Sequence, residues 1–195
     1  MSRLRIFFTG VGGQGTVTAT RLLAQAALDE GIPVVAGEVH GMAQRGGIVE
    51  STVLMGGYVN PRISPGEADV LLGFEPLETL RALPYLAPRG LILSSSEQLP
   101  PVSVCCGREQ SPPFEEMERM VRECTPHVHF LPCQRLGLEA GALQAGNLAL
   151  LGALCALNRL PFEMERMEKT ITASLAPKLV DANIKALRLG AAAVA

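Results

Sequence analysis

The sequence predicts an α/β fold, a three-layer arrangement in which a mostly parallel, Rossmann-like sheet lies between helices, with further helices at the C-terminal end. A short apolar run near the N-terminus leads directly into a glycine-rich turn and a long Ala/Leu-rich segment. Apolar runs and helical segments then alternate, as they do in doubly wound sheets. The 195 residues are enough for one substantial core, so we expect a single domain over residues 1–195.

The first predicted unit is a strand, a glycine-rich turn and a helix. Residues 3–9 are expected to form the strand, because the apolar run over residues 6–8 is typical of a strand covered on both faces. The strand stops at Gly10. Residues 16–30 contain no glycine or proline and precede Gly31, which predicts a helix with a glycine stop.

The central part of the chain supplies the remaining strands. Short apolar runs bounded by turn residues predict strands over residues 32–36, 47–54, 68–74, 90–94 and 128–131. Helices are expected over residues 77–86 and 114–123. Two proline pairs bracket a further possible strand over residues 102–105.

The C-terminal third is predicted to be helical. Asn147 is a suitable N-cap for an apolar helix over residues 148–158. An amphipathic helix is expected after Pro161. The last helix, over residues 177–189, begins with a proline and is expected to end at Gly190.

The first candidate site is the glycine-rich turn, with candidate residues Gly10, Gly12, Gly13, Gln14 and Gly15. Glycines let the backbone approach a ligand closely, and free amides at the start of a helix attract anions. The pattern matches the GxGxxG dinucleotide fingerprint, but the second strand offers only Glu38, later than the usual acidic partner. Two other interpretations remain open: close packing of strand against helix, and a loop that faces a partner chain or a polar group of a substrate.

The second candidate site is a loop with candidate residues His40, Gly41, Gln44, Arg45, Gly46 and Gly47. Arg45 is the candidate catalytic residue, because a guanidinium on a tightly turned backbone can pair with a carboxylate or a phosphate. A plain surface loop between strands is the alternative. The presence of the first glycine loop favours a functional role.

Two other groups are weaker candidates. Cys124, His127, His129 and Cys133 lie close together in the sequence, but their spacing differs from that of zinc ligands, so no metal site is expected. Glu75 follows a predicted strand, where ligand crevices form in open α/β sheets. Its simpler role is that of a carboxylate at the start of the next helix.

Charge and hydropathy exclude several classes of function. The net charge of -2 and the absence of tryptophan argue against a nucleic-acid partner. The longest apolar stretch is about half as long as a membrane-spanning helix, and the N-terminal apolar run is too short for a signal peptide. The five scattered cysteines fit reduced thiols in the cytoplasm, and none forms the run that ligates an iron–sulfur cluster.

Several segments in order resemble one family. The turn GVGGQG, the loop GMAQRGG, the segment ISPGEADVLLGFEPLETLRALPYLAPRGLIL, and Asn147 with the following LGAL helix are similar to gamma-type subunits and domains of 2-oxoacid (pyruvate/ketoisovalerate):ferredoxin oxidoreductases. The similarity covers nearly the whole chain and is weakest over residues 98–138. As a free-standing chain of this size, it is most similar to the beta subunits of indolepyruvate:ferredoxin oxidoreductases.

The resemblance implies a gamma-type domain that is active only within a larger enzyme. It implies a larger partner subunit that holds thiamine diphosphate, Mg²⁺ and iron–sulfur clusters, with no cofactor on this chain. The implied reaction is oxidative decarboxylation of indolepyruvate or another aryl 2-oxoacid to its acyl-CoA, with coenzyme A as co-substrate and ferredoxin as electron acceptor. Loops 10–15 and 40–47 are then expected to meet at the carboxyl end of the sheet and to cover the partner's active site. A stand-alone protein that binds NAD or FAD is the alternative.

Overall fold

The computed structural model describes residues 3–40, 47–99, 102–108 and 110–195 and, of residues 40, 102 and 103, the backbone only. Residues 41–46 of the second candidate site, with Arg45, lie outside the described residues. In the described ranges, no helix has the length and apolar character needed to cross a membrane.

Six strands form one sheet: β1 (Leu4–Val11), β2 (Val34–His40), β3 (Ile48–Met55), β4 (Ala68–Gly73), β5 (Leu86–Ser95) and β6 (Val128–Leu131). Their order across the sheet is β2-β3-β1-β4-β5-β6. β1, β4, β5 and β6 pair in parallel, whereas β3 runs antiparallel to both of its neighbours. The connection from β2 to β3 is too short for a parallel crossover, which explains the reversal. The predicted mostly parallel sheet is confirmed.

Eight α-helices are described: α1 (Thr16–Asp29), α2 (Pro76–Ala82), α3 (Val102–Cys105), α4 (Phe114–Cys124), α5 (Cys133–Ala140), α6 (Asn147–Ala156), α7 (Met164–Ser174) and α8 (Pro177–Ala192). Short 3-10 helices cover Leu83–Tyr85 and Leu143–Gly146. One core joins the sheet to α1 and α5 to α8, and a second core joins its other face to α2 and α4. The structure therefore has the expected three layers and C-terminal helices.

The structure corrects the expectation of a strand over residues 102–105. These residues form the short helix α3 instead. A run of four apolar and small residues does not distinguish helix from strand by itself.

The C-terminal helices also differ from the expected bounds. Asn147 is already part of α6, and the N-cap position belongs to Gly146. α8 continues through Gly190 to Ala192. A Cβ at Gly190 would overlap the backbone of Ala149, so this glycine allows close packing of α8 on α6 and does not end the helix. α5, also missed in the sequence, packs against α8.

Candidate functional site

A crevice opens at the carboxyl end of the sheet, between the ends of β1 and β4. α1, which follows β1, packs on one face of the sheet, and α2, which follows β4, packs on the other. Ligand crevices of open α/β sheets form at such a change of direction. The crevice has a volume of about 210 Å³ and is lined by Gly13, Gln14, Phe74, Ser95, Leu99, Cys133, Gln134, Leu143, Gln144, Gly146 and Asn147. The first predicted glycine loop thus forms one wall of it.

The side chain of Gln14 crosses the glycine loop. Its Oε1 accepts from the backbone N–H of Val11 at 2.7 Å, and its Nε2 donates to the carbonyl oxygen of Phe74 at 2.9 Å. A Cβ at Gly10 would lie 2.9 Å from Oε1 of Gln14 and 3.0 Å from Cβ of Phe74. Glycine at position 10 therefore makes room for the carboxamide, which ties the end of β1 to the end of β4.

Asn147 closes the loop from the opposite side. Its Nδ2 donates to the carbonyl oxygen of Gly15 at 3.2 Å. Gly15 has a φ of 80°, in the left-handed region, and a Cβ there would overlap Nδ2 of Asn147. The Oδ1 of Asn147 has no hydrogen-bond partner within the described part of the chain. The sequence suggested an N-cap role for Asn147. Its contact with Gly15 could not be predicted, because no local sequence pattern links two residues so far apart in the chain.

Within the described residues, one backbone hydrogen bond joins the two glycine motifs. The backbone N–H of Gly12 donates to the carbonyl oxygen of Gly47 at 2.8 Å. Gly47 directly precedes β3, so this bond holds the end of the second loop beside the first. The structure therefore brings together Gly12 and Gly47 of the predicted site. The side chain of His40, together with Gly41, Gln44, Arg45 and Gly46, is not among the described groups.

The strand order does not favour the dinucleotide interpretation. In dinucleotide-binding folds, the strand with the acidic residue lies beside the first strand. Here β3 separates β2 from β1, and Glu38 pairs with Ser51 of that intervening strand. Two strand spacings, about 9–10 Å, therefore separate the backbone of Glu38 from β1.

The side chains that line the remaining described wall of the crevice are uncharged. The carboxylate of Glu97 accepts from the backbone N–H groups of Gln134 and Arg135, so it stabilises the start of α5. Burial raises the pKa of the Cys133 thiol to about 12, which keeps it protonated. Among the described lining residues, no side chain is charged.

Glu75 has the expected role at the start of a helix. Its Oε2 accepts from the backbone N–H of Glu78 at 3.0 Å, which makes Glu75 the N-cap of α2. Burial is the main reason that its pKa is raised, although hydrogen bonds from backbone N–H groups, including that of Leu99, lower it. The prediction that Glu75 is a carboxylate at the start of the next helix is confirmed.

The histidine and cysteine group lies near β6 and the start of α5. His129 belongs to β6, and Cys133 is the first residue of α5. Over the ranges that the structure describes, no three His, Cys, Asp or Glu side chains are arranged to hold a metal ion.

Comparisons with known proteins cover almost the whole chain. The pattern of the family "Pyruvate ferredoxin/flavodoxin oxidoreductase" matches residues 5–193. Indolepyruvate oxidoreductase subunit IorB of Pyrococcus horikoshii is 42% identical, over 97% of this chain and 95% of that protein. IorB of Archaeoglobus fulgidus is 38% identical, over 96% and 94%. The pyruvate/ketoisovalerate oxidoreductases common subunit gamma of Pyrococcus abyssi is 28% identical, over 95% and 94%.

Solved structures share the fold. Pyruvate oxidoreductase subunit PORC of Thermotoga maritima superposes with a TM-score of 0.71 at 24% identity, over 99% of this chain and 97% of that one. The 2-oxoglutarate:ferredoxin oxidoreductase of Magnetococcus marinus gives a TM-score of 0.73 at 15% identity, and the match covers all of this chain but 31% of that longer chain. The match of the family pattern and the identity to the IorB proteins show that the chain belongs to the pyruvate ferredoxin/flavodoxin oxidoreductase family.

Proposed function

We propose that this chain is the small subunit of a thiamine-dependent 2-oxoacid:ferredoxin oxidoreductase and has no activity alone. The similarity to IorB carries the proposal, because 42% identity extends over almost the full length of both chains. The described residues that line the crevice include no acidic or basic side chain that could transfer a proton or activate a nucleophile. This agrees with a subunit that contributes surface to an active site whose catalytic groups lie on the partner.

The larger partner subunit would hold thiamine diphosphate, Mg²⁺ and the iron–sulfur clusters. A magnesium–diphosphate group needs oxygen ligands and charge compensation, and the described residues that line the crevice include no carboxylate. The five cysteines lack the spacing of a cluster-binding run. Thiamine diphosphate would supply the electron sink for decarboxylation, and this chain would shape the surrounding surface.

The reaction would be the oxidative decarboxylation of indolepyruvate or another aryl 2-oxoacid. The oxoacid loses carbon dioxide, its acyl group forms a thioester with coenzyme A, and two electrons pass to ferredoxin. The protein would work in the cytoplasm, where thiols stay reduced; Cys106, Cys124, Cys133 and Cys155 are free thiols.

Arg45 is the residue of this chain that we place nearest to the chemistry. The bond between Gly12 and Gly47 supports this, because it holds the end of the second loop beside the crevice. The guanidinium would pair with the oxoacid carboxylate or with a phosphate of coenzyme A. In the assembled complex, Arg45→Ala should raise the KM for one of these two substrates by about ten-fold or more, while Arg119→Ala, on the exposed face of α4, leaves it unchanged. Full activity with unchanged KM values in the Arg45→Ala complex contradicts the role.

Co-purification tests the subunit assignment. The tagged chain should elute with a larger subunit encoded beside it, and the pair should reduce a dye when given indolepyruvate and coenzyme A. Neither chain alone should do so. If the chain instead purifies alone and binds NAD(P)H or FAD saturably, the nucleotide-binding alternative replaces this proposal.

A further inference from the structure

Two neighbouring strands carry a partly apolar face that is open to solvent. Val39 of β2 lies directly opposite Glu50 of β3, and Ile48 is two residues from Glu50, so these three side chains share one face, the β2–β3 face. Val39 is 66% exposed and Ile48 is 39% exposed. The solvated face of an antiparallel strand pair normally carries polar side chains, so the β2–β3 face has the character of a surface that a partner covers.

A cavity of about 380 Å³ adjoins the β2–β3 face, between the two strands and the loop of residues 56–67 that follows β3. The stacked rings of Phe7 and Tyr85, with centroids 4.4 Å apart, border it on one side. Val59 of the loop is 97% exposed and directly precedes Asn60, which lines the cavity. The surface therefore has both a recess and an exposed apolar side chain at the rim of that recess.

Hydrogen bonds and close packing fix the loop on the strands. The hydroxyl of Thr52 donates to the carbonyl oxygen of Pro61 at 2.6 Å, and a Cβ at Gly37 would lie 2.9 Å from Cβ of Pro61. The backbone N–H of Arg62 donates to Oδ1 of Asn60 at 2.9 Å. Because the loop is already ordered, a partner that contacts it loses little of its binding free energy to ordering.

Two opposite charges face the same cavity. Glu50 is half-buried, and burial raises the pKa of its carboxyl, with no hydrogen bond or ion pair to a described residue that offsets the effect. Arg62 is exposed, and its guanidinium forms no ion pair with a described carboxylate. An unpaired, half-buried carboxylate costs free energy, and a cation brought by a partner would offset this cost.

The whole set of features matches a second copy of the same chain. In a two-fold interface both copies use the same patch, so each group must find its complement within that patch. Here the recess is complementary to Val59, and Glu50 is complementary to Arg62. A small molecule in the cavity would leave Ile48 and Val59, which lie outside the described lining, in contact with water. A partner that brought only a cation would leave Arg62 unpaired.

We propose that two copies of this chain associate about a two-fold axis at the β2–β3 face. Val59 of each copy enters the cavity of the other, and Arg62 of each copy pairs with Glu50 of the other. A standard interface uses about 20–30 residues per side, and the cavity with its rim supplies fewer, so we expect a dissociation constant in the micromolar range. At lower concentrations the chains separate, and the carboxylate of Glu50 is again unpaired. The inference goes beyond the proposed function, because it concerns two small subunits and does not require the larger one.

Sedimentation velocity of the full chain, over a concentration series through the micromolar range, tests the inference. The wild-type chain should change from monomer to dimer. Arg62→Glu and Glu50→Lys should each raise the Kd of the dimer by about ten-fold or more, because each brings like charges together across the axis. Arg119→Glu, on the exposed face of α4, is the control for charge reversal and should leave the Kd unchanged.

Mixing the two charge-reversed variants tests the two-fold geometry itself. In a mixed dimer, the new cation of the Glu50→Lys chain meets the new anion of the Arg62→Glu chain, and the second pair keeps its original residues. The equimolar mixture should therefore dimerise with a Kd within about three-fold of the wild-type value, although neither variant does so alone.

Three results would overturn the inference. The wild-type chain stays monomeric over the whole series, or it forms a dimer that both charge reversals leave unchanged, or both reversals weaken the dimer and the mixture does not restore it. Circular dichroism checks that each variant is folded. If Glu50→Lys does not fold, Val59→Asp, at an almost fully exposed position, takes its place and should raise the Kd by about ten-fold or more. An unchanged Kd for Val59→Asp also contradicts the proposal.

Discussion

The carboxamide of Asn147 donates from Nδ2 to the carbonyl oxygen of Gly15 at 3.2 Å, across 132 residues of sequence. This bond joins the first residue of α6 to the residue that precedes α1. Gln14 makes the corresponding connection to β4 through the carbonyl oxygen of Phe74. Two carboxamides therefore hold the glycine loop from both sides, and the loop is a fixed wall of the crevice.

Gly15→Ala should destabilise the chain by about 2–3 kcal/mol, because it combines left-handed strain with overlap against Asn147. Gly31→Ala is the matched control: its φ of 69° imposes similar strain, but nothing lies within 4 Å of the added Cβ. The free energy of unfolding, measured by chemical denaturation, should fall less for Gly31→Ala. Equal losses in the two variants would show that Asn147 does not restrict position 15.

Gln14→Leu should lower the free energy of unfolding by about 1–3 kcal/mol, because the N–H of Val11 and the carbonyl of Phe74 lose their partner. Amide hydrogen exchange of Val11 should also become faster. Gln25→Leu is the control, since its bond to Asp29 lies on the exposed face of α1 and its loss should cost no more than about 0.5 kcal/mol. Unchanged exchange at Val11 would contradict the role of the carboxamide.

The strand–turn–helix unit and the layer order were predictable from local patterns. Ile6, Phe7 and Phe8 are fully or almost fully buried, as their unbroken apolar run indicated. The glycine turn was located correctly, because a sharp change from an apolar run to glycine is a local signal. The antiparallel direction of β3 was not predicted, since apolar runs do not encode strand direction.

The partners within the site were not predictable in the same way. Gly15 and Asn147 meet only because α6 packs beside α1, and Glu97 reaches the start of α5 from the end of β5. Such contacts depend on tertiary packing and leave no periodic pattern. The prediction for Gly190 failed for the same reason, because a glycine that permits close packing looks like a glycine that ends a helix.

Gly152→Ala should destabilise the chain by about 1–3 kcal/mol, because the added Cβ overlaps the backbone of Leu187 where α6 crosses α8. A Gly→Ala change inside a helix usually stabilises the protein, since alanine is the better helix former by about 0.5–1 kcal/mol. The expected effect at position 152 is therefore the reverse of the usual one. Ala173→Gly, on the exposed side of α7, measures the effect of helix propensity alone and should destabilise the chain by about 0.5–1 kcal/mol. A stabilised Gly152→Ala variant, measured by thermal unfolding, would contradict the close helix crossing.

Glu50 should make the stability of the chain fall as the pH rises. Burial raises the pKa of this half-buried carboxyl on β3, so the folded state binds its proton more tightly than the unfolded state does. The unfolding free energy contributed by Glu50 is therefore highest below the ordinary glutamate value, about 4.3, and decreases as the pH rises through the raised value.

Glu50→Gln should remove this decrease and give a higher free energy of unfolding than wild type at about pH 8, with little difference at about pH 4. Glu139→Gln, which changes an exposed carboxylate on α5, is the control for the loss of one charge. Denaturation curves at several pH values measure the effect. A Glu50→Gln variant with the wild-type pH dependence would contradict the desolvation of Glu50.

Titration of the purified larger subunit with this chain tests the central claim most directly. Activity with indolepyruvate, coenzyme A and ferredoxin should be absent at first, rise with each addition of this chain, and reach a plateau at a fixed molar ratio. Full activity of the larger subunit before any addition, or no activity at any ratio, would contradict the assignment of this chain as an obligatory subunit.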